Sequence, residues 1–126
     1  MRRKTITKGV SWMGAVHWDR RLFDALVPLP DGTTYNAYLV EGSEKTALID
    51  AVDPDMVDTL LEHLEGVDRL DYLVSQHAEQ DHSGTIAVVL DLYPEAVVVT
   101  NAKAKAMLMD LLLIPEDRFR VVEDGE

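Results

Sequence analysis

Leu70-Asp71-Tyr72-Leu73-Val74-Ser75-Gln76-His77-Ala78-Glu79-Gln80-Asp81-His82-Ser83-Gly84 is the stretch that decides the architecture. Leu70 to Ser75 is a short, largely apolar run that predicts a buried strand, and His77 to Gly84 is polar and predicts a loop. Beyond it Ile86, Val89, Leu90 and Tyr93 recur at helical spacing, so a helix is expected over residues 85–93, stopped by Pro94. Strand, loop and helix in that order form the repeating unit of an α/β layered domain. In such domains ligands bind in loops at the carboxyl ends of strands, which is where His77 to Gly84 falls.

Downstream, Ala96-Val97-Val98-Val99-Thr100 is the most strand-like run in the chain, and its lack of alternation predicts burial on both faces of a sheet. Residues 102–113 return to helical spacing with Ala104, Met107, Leu108, Leu111 and Leu112 expected inward. Residues 118–122 read as a strand, and Asp124-Gly125 is a turn pair from which another strand would normally follow. Upstream, Asp53 is placed to cap a helix over residues 54–65, with Pro54 at the first helical position and Gly66 at the left-handed terminating position. Met56, Val57, Leu60, Leu61 and Leu64 form its apolar stripe. Tyr35 to Val40 and Thr46 to Asp50 read as a β-hairpin, following the turn signal Pro30-Asp31-Gly32 and separated by Glu41-Gly42-Ser43-Glu44. Val10 to His17 reads as another strand, with Trp12, Gly14 and Val16 on one face and Met13 and Ala15 on the other. The expected fold is α/β, with a mixed sheet first and parallel crossovers later.

A chain of 126 residues can bury one real core and leaves no room for a second full domain. With 47% hydrophobic and 28% charged residues it has the composition of a soluble globular protein. A net charge of −11 repels phosphate backbones and anionic lipid, so neither nucleic acid nor membrane is expected as a partner. Cysteine is absent, which excludes disulfides, thiolate metal sites and a cysteine nucleophile; any metal must be held by nitrogen and oxygen. The basic start Met1-Arg2-Arg3-Lys4 is not followed by an apolar stretch of signal or membrane-span length, and a cytoplasmic location is expected.

His77, Glu79, Asp81 and His82 place four potential metal ligands within six residues, between a strand and a helix. His77, Glu79 and Asp81 point the same way if the backbone stays extended, and His82 joins them as the chain turns into the helix. Imidazole and carboxylate together suit zinc, iron or manganese rather than calcium or magnesium. A solvated polar turn is the competing explanation; against it, two of the chain's 4 histidines fall in this window. Two metals would need further ligands from elsewhere. His17 and His63 are read as structural or solvent-facing, His63 on an exposed helix face. Trp12, Trp18, Tyr35 and Tyr38 are expected to pack in the core or at sheet edges, Met107 and Met109 to pack within their helix, and Lys103 and Lys105 to form a solvated helix edge.

His77-Ala78-Glu79-Gln80-Asp81-His82-Ser83-Gly84 resembles the H-x-E-x-D-H-S-G motif of flavodiiron proteins. Gly32-Thr33-Thr34-Tyr35-Asn36-Ala37-Tyr38-Leu39-Val40 resembles their early G-T-T-Y-N segment, Trp18-Asp19-Arg20-Arg21-Leu22-Phe23 matches too, and the similarity runs along essentially the whole chain. The resemblance implies a metallo-β-lactamase-like layered fold (αββα), of which residues 1–126 are the N-terminal part, with no flavodoxin-like or rubredoxin domain. It implies a non-haem diiron site, with His77 and Glu79 on one iron, Asp81 and His82 on the other, and Asp50 supporting the metal loop from behind. It further implies reduction of dioxygen to water or of nitric oxide to nitrous oxide, with electrons from FMN held by a flavodoxin-like domain or an electron-donor protein.

In that family a further histidine, a bridging carboxylate and a last histidine come from beyond the position of Glu126, and FMN is not expected to bind this chain. The chain is therefore expected to be a fragment, or to pair with another chain; a homo-oligomer would bring two copies of the motif together. The broader superfamily commonly carries H-x-H-x-D-H and binds zinc. Glu79 separates the two patterns, since an added anionic oxygen donor favours ferric iron. A zinc-dependent hydrolase and a non-catalytic diiron oxygen sensor are the alternative functions.

Overall fold

A computed structural model describes residues 3–126; Met1 and Arg2, half of the basic start, lie outside the described residues. Along the chain run β1 (Lys4–Thr7), β2 (Val10–Trp12), β3 (Ala15–His17), β4 (Leu22–Phe23), β5 (Val27–Pro28), β6 (Thr33–Tyr35), β7 (Tyr38–Glu41) and β8 (Thr46–Ile49). They are followed by α1 (Val57–Leu64), β9 (Tyr72–Val74), α2 (Gln80–Ser83), α3 (Ile86–Leu92), β10 (Val97–Thr100), α4 (Ala102–Leu112) and β11 (Phe119–Val121). A seven-stranded sheet has the order β1-β2-β7-β8-β9-β10-β11, flanked by the ribbons β3-β6 and β4-β5. Its first strands pair antiparallel and β8 to β11 pair parallel, the mixed-then-parallel sheet expected from the sequence.

The parallel strands advance in one direction, with α1, α3 and α4 in the successive crossovers. Right-handed crossovers that always step the same way lay every helix on the same side of a sheet. The burial pattern agrees. Leu39, Leu48, Leu73 and Val98, opposite one another across four strands, are fully buried in one core with Leu60, Ile86, Val89 and Leu108 of the helices. The other face carries Tyr38, Ile49, Val74 and Val99 in one cross-strand row and Val40, Ala47, Tyr72 and Val97 in the next. None of these is fully buried, and an open depression of about 310 Å³ lies over Ala47, Tyr72, Val74, Val99 and Arg120. The expectation that residues 96–100 are buried on both faces is thus corrected. Val98 and Thr100 are buried, whereas Val97 and Val99 are half-covered because the helices lie on one side only.

The single strand expected over residues 10–17 is also corrected: the chain breaks at Met13-Gly14, with β2 in the large sheet and β3 in the ribbon with β6. A Cβ at Gly14 would lie 2.0 Å from the Tyr35 carbonyl oxygen and 2.8 Å from the Trp12 ring, so only glycine allows this approach. Met13 and Ala15 do face the core. Trp18, expected to pack, is 69% exposed. The β4-β5 hairpin turns through Asp24 (φ 50°) and Ala25 (φ 58°), both left-handed. Neither is glycine or asparagine, and the sequence gives no signal for the turn.

The first predicted helix begins as read, with Asp53 Oδ1 accepting the Asp55 N–H at 3.0 Å, although Pro54–Met56 is a single 3₁₀ turn before α1. Gly66 takes φ 78° after its end. In α4, Ala104 and Leu108 are buried and Leu112 packs on the core, but Met107 and Leu111 are exposed, Leu111 by 65%. This helix buries a narrower stripe than its spacing predicts because it lies over the last strands of the sheet, where the core thins.

His63 takes the structural alternative of its reading and not the exposed helix face. It is 1% exposed, its ring is tilted against Trp12 at 5.9 Å, and neither ring nitrogen has a hydrogen-bond partner. Each unpartnered buried polar group costs about 1–3 kcal/mol, and the aromatic contact returns about 0.5–1.5 kcal/mol. His63→Leu is therefore expected to raise stability by about 1 kcal/mol, seen as a higher urea midpoint at unchanged slope. A lower midpoint would show that the imidazole is better satisfied than its surroundings indicate.

Candidate metal centre

Parallel strands end together, so the segments after β8 and β9 meet at one edge of the sheet, and a set of hydrogen bonds zips them. Asp50 turns out of β8 with φ 60°, donating its N–H to the Val74 carbonyl at 2.8 Å. This turn aims its buried carboxylate at the next loop. Oδ1 accepts the Gln76 N–H at 2.8 Å, and Oδ2 lies 3.3 Å from His82 Nδ1. Ala51 donates its N–H to the His82 carbonyl at 2.9 Å. Thr85 Oγ1 accepts the Val52 N–H at 3.2 Å and donates to the Val52 carbonyl at 3.0 Å. Gly84 presses on Pro54 so closely that a Cβ there would lie 2.4 Å from the proline Cδ. On the other side, Ser75 donates its N–H to Val99 and accepts a bond from Thr100 Oγ1 at 2.9 Å, fixing the root of the loop to β10.

The extended alternation expected through Asp81 stops at Glu79, which is extended (φ −65°, ψ 152°) and opens the one-turn helix α2. Ser83 Oγ reaches the carbonyls of Ala78 at 2.8 Å and Glu79 at 2.9 Å, a local bond that competes with an extended backbone and closes the turn. Asp81 and His82 therefore project from a helical turn rather than continuing the alternation of His77 and Glu79.

The four side chains still share one patch. His77 Nε2 lies 3.3 Å from Glu79 Oε1, His82 Nε2 lies 3.5 Å from Asp81 Oδ2, and the two imidazoles meet edge-on at 5.2 Å. Asp81 Oδ1 is buried without a hydrogen-bond partner. The His82 ring thus stands between two carboxylates, and Asp50, the nearer and more deeply buried, favours the tautomer protonated on Nδ1, with the Nε2 lone pair turned to the Asp81 side. Among the described residues no group of three or more His, Asp or Glu side chains is arranged to hold a metal ion. The donor types and the orphaned oxygen fit a transition metal.

Around this patch Tyr35 is buried and its hydroxyl lies 2.9 Å from His17 Nδ1, which gives His17 the structural part that the sequence assigned to it. Burial raises the Tyr35 pKa above that of a free phenol; the carboxylates of Asp53, Asp55 and Asp81 add to the rise and Arg20 opposes it. Arg20 Nη1 lies 3.6 Å from Asp53 and 3.4 Å from Asp55, tethering the β3-β4 connection to the segment after Asp50. A hollow of about 290 Å³ lined by Gln76, His77, Asn101, Lys103 and Met107 opens beside His77. Sequence reasoning missed Thr85, since a threonine at a helix start carries no signal of a bond to a residue 33 positions earlier.

Residues 30–125 match the family model of the metallo-beta-lactamase superfamily. The chain is 37% identical to a coenzyme F420H(2) oxidase of Methanothermobacter marburgensis, covering 98% of this chain and 32% of that protein. It is 40% identical to a nitric oxide reductase of Moorella thermoacetica over 79% of this chain and 26% of that one. Its fold superposes on the flavodiiron protein of Giardia intestinalis with a TM-score of 0.91 at 25% identity, covering 100% of this chain and 31% of that chain. The chain thus spans about a third or less of each of these proteins.

Proposed function

The chain belongs to the flavodiiron family within the metallo-β-lactamase superfamily, and from that premise we propose that it carries part of a non-haem diiron site in an oxidoreductase acting on dioxygen, nitric oxide or both. The observation that carries the reading is the Asp50-His82 pair at 3.3 Å, set behind a buried Asp81 oxygen that has no partner. In this reading His77 and Glu79 hold one iron, and Asp81 and His82 the other. Iron, when bound, would relay to dioxygen or nitric oxide the electrons that FMN and the electron donor supply. The protein's own contribution is positional and electrostatic. Asp50 orients His82, Glu79 adds an anionic donor where zinc-binding relatives commonly carry histidine, and the zipped loops hold the ligands at one edge of a rigid sheet.

Residues 1–126 form the N-terminal part of the metallo-β-lactamase-like domain in this reading. The remaining ligands, FMN and the electron donor are supplied by other domains or chains, a second copy of this one included. The names of two relatives, an oxidase and a nitric oxide reductase, support the same reaction class. No helix among the described residues is long and apolar enough to cross a membrane, and we place the reaction in the cytoplasm. Anaerobic iron(II) titration followed by elemental analysis is expected to load the wild-type chain and to lose the bound ion in a His77→Ala, Glu79→Ala double variant. A wild type that is folded and takes no iron overturns the reading, and a preference for zinc with hydrolytic turnover replaces it with the hydrolase.

A further inference from the structure

We propose that Thr85 is a positioning residue for this half-site, acting through Val52 and Asp50 on His82. The last step rests on the metal reading above; the first two rest on the fold alone. Asp50 is a non-glycine residue at φ 60°, a conformation that persists only where its surroundings over-determine it. The turn it makes is required for function in this reading, because it sends the carboxylate back toward the motif instead of along the strand.

Beyond the Asp50 N–H bond to the Val74 carbonyl, three docking points hold that turn. Asp50 itself meets Gln76 and the His82 ring, Ala51 meets the His82 carbonyl, and Val52 meets Thr85. The third differs in kind from the others. Val52 is fully buried, and the hydroxyl of Thr85, a residue 1% exposed, satisfies both its N–H and its carbonyl. A buried peptide group has to find partners, and here a single side-chain atom supplies both. Thr85 is β-branched, so few rotamers are open to it and the hydroxyl direction is set by the backbone at the start of α3. The hydroxyl therefore ties the far end of the Asp50 turn to the far end of the motif. Without it the Val52 end of the turn loses both its hydrogen bonds, and the Asp50 carboxylate, still anchored by the Gln76 N–H, is less firmly aimed at His82 Nδ1.

Thr85→Val keeps the shape and removes both bonds; Thr85→Ser keeps the hydroxyl. The first readout needs no metal: the tautomer of the His82 imidazole at fixed pH, from long-range proton–nitrogen NMR of the full chain. Wild type and Thr85→Ser are expected to show the Nδ1–H tautomer, and Thr85→Val a mixture of both. The second is iron(II) affinity, expected to fall about tenfold in Thr85→Val and to return in Thr85→Ser. If Thr85→Val fails to fold, Thr85→Cys, a weak donor and acceptor of similar size, is expected to lie between wild type and the mixture. A wild-type tautomer in the folded Val or Cys variant overturns the proposal, as does a mixture that Ser does not restore. If the wild type takes up no iron, the metal reading fails by itself, and the tautomer still decides whether Thr85 positions His82.

Discussion

Asp50→Asn is expected to lower the iron(II) affinity of the half-site by about 10–100-fold, the usual cost of removing the carboxylate behind a ligating histidine. Asparagine is the informative choice because, like aspartate, it tolerates the left-handed backbone that this position adopts at φ 60°. Its one carbonyl oxygen can keep the bond from the Gln76 N–H, which leaves the amide NH₂ facing His82 Nδ1. An NH₂ group donates and cannot accept. The imidazole is then driven to the tautomer protonated on Nε2, the nitrogen that a metal would need. Affinity measured by competition with a chromophoric chelator, beside a melting curve that confirms the fold, checks this; an unchanged affinity would mean that His82 does not bind through Nε2.

Leu73→Ala is expected to cost about 2–5 kcal/mol, a large part of the 5–15 kcal/mol that holds a domain of this size together. Leu73 sits at the centre of the sheet, opposite Leu48 on β8 and Val98 on β10, with no exposure. Removing its side chain opens a void that surrounding helices and strands cannot collapse into. Val74, the next residue on the same strand, points to the uncovered face, and Val74→Ala is expected to cost under about 1 kcal/mol because there is little packing to lose. Urea unfolding of the two variants side by side checks the contrast. Equal losses would mean that both faces of β9 are packed.

Much of this architecture is legible in local pattern. The strand at residues 72–74, α3, the Asp53 cap, the Gly66 terminator and the hairpin of β7 and β8 follow from periodicity and turn chemistry confined to a few neighbouring residues. What is illegible depends on partners remote in sequence. The break at Gly14 is set by the Tyr35 carbonyl, and the burial of His63 by Trp12 on a distant strand. The bare face of the sheet follows from the order in which strands are laid down, which no periodicity encodes. At the candidate site the cluster of His77, Glu79, Asp81 and His82 stands out as composition. Its bend into a helical turn does not, because that turn is closed by backbone bonds to the Glu79 and Gln80 carbonyls together with the Ser83 hydroxyl. Asp50 was singled out by family resemblance and not by spacing; the Thr85 clamp gave no sign at all.

The one-sided sheet also shapes how this chain responds to temperature. The heat capacity of unfolding measures the apolar surface that passes from dry to wet, about 12–15 cal/mol/K per residue in ordinary domains. The row Tyr38, Ile49, Val74 and Val99 and its neighbours are already partly wet in the folded chain and contribute little to that change. A smaller heat capacity flattens the dome of stability against temperature. The folded chain is therefore expected to be only mildly sensitive to cold, its stability varying less with temperature than that of a domain of equal size with both sheet faces covered.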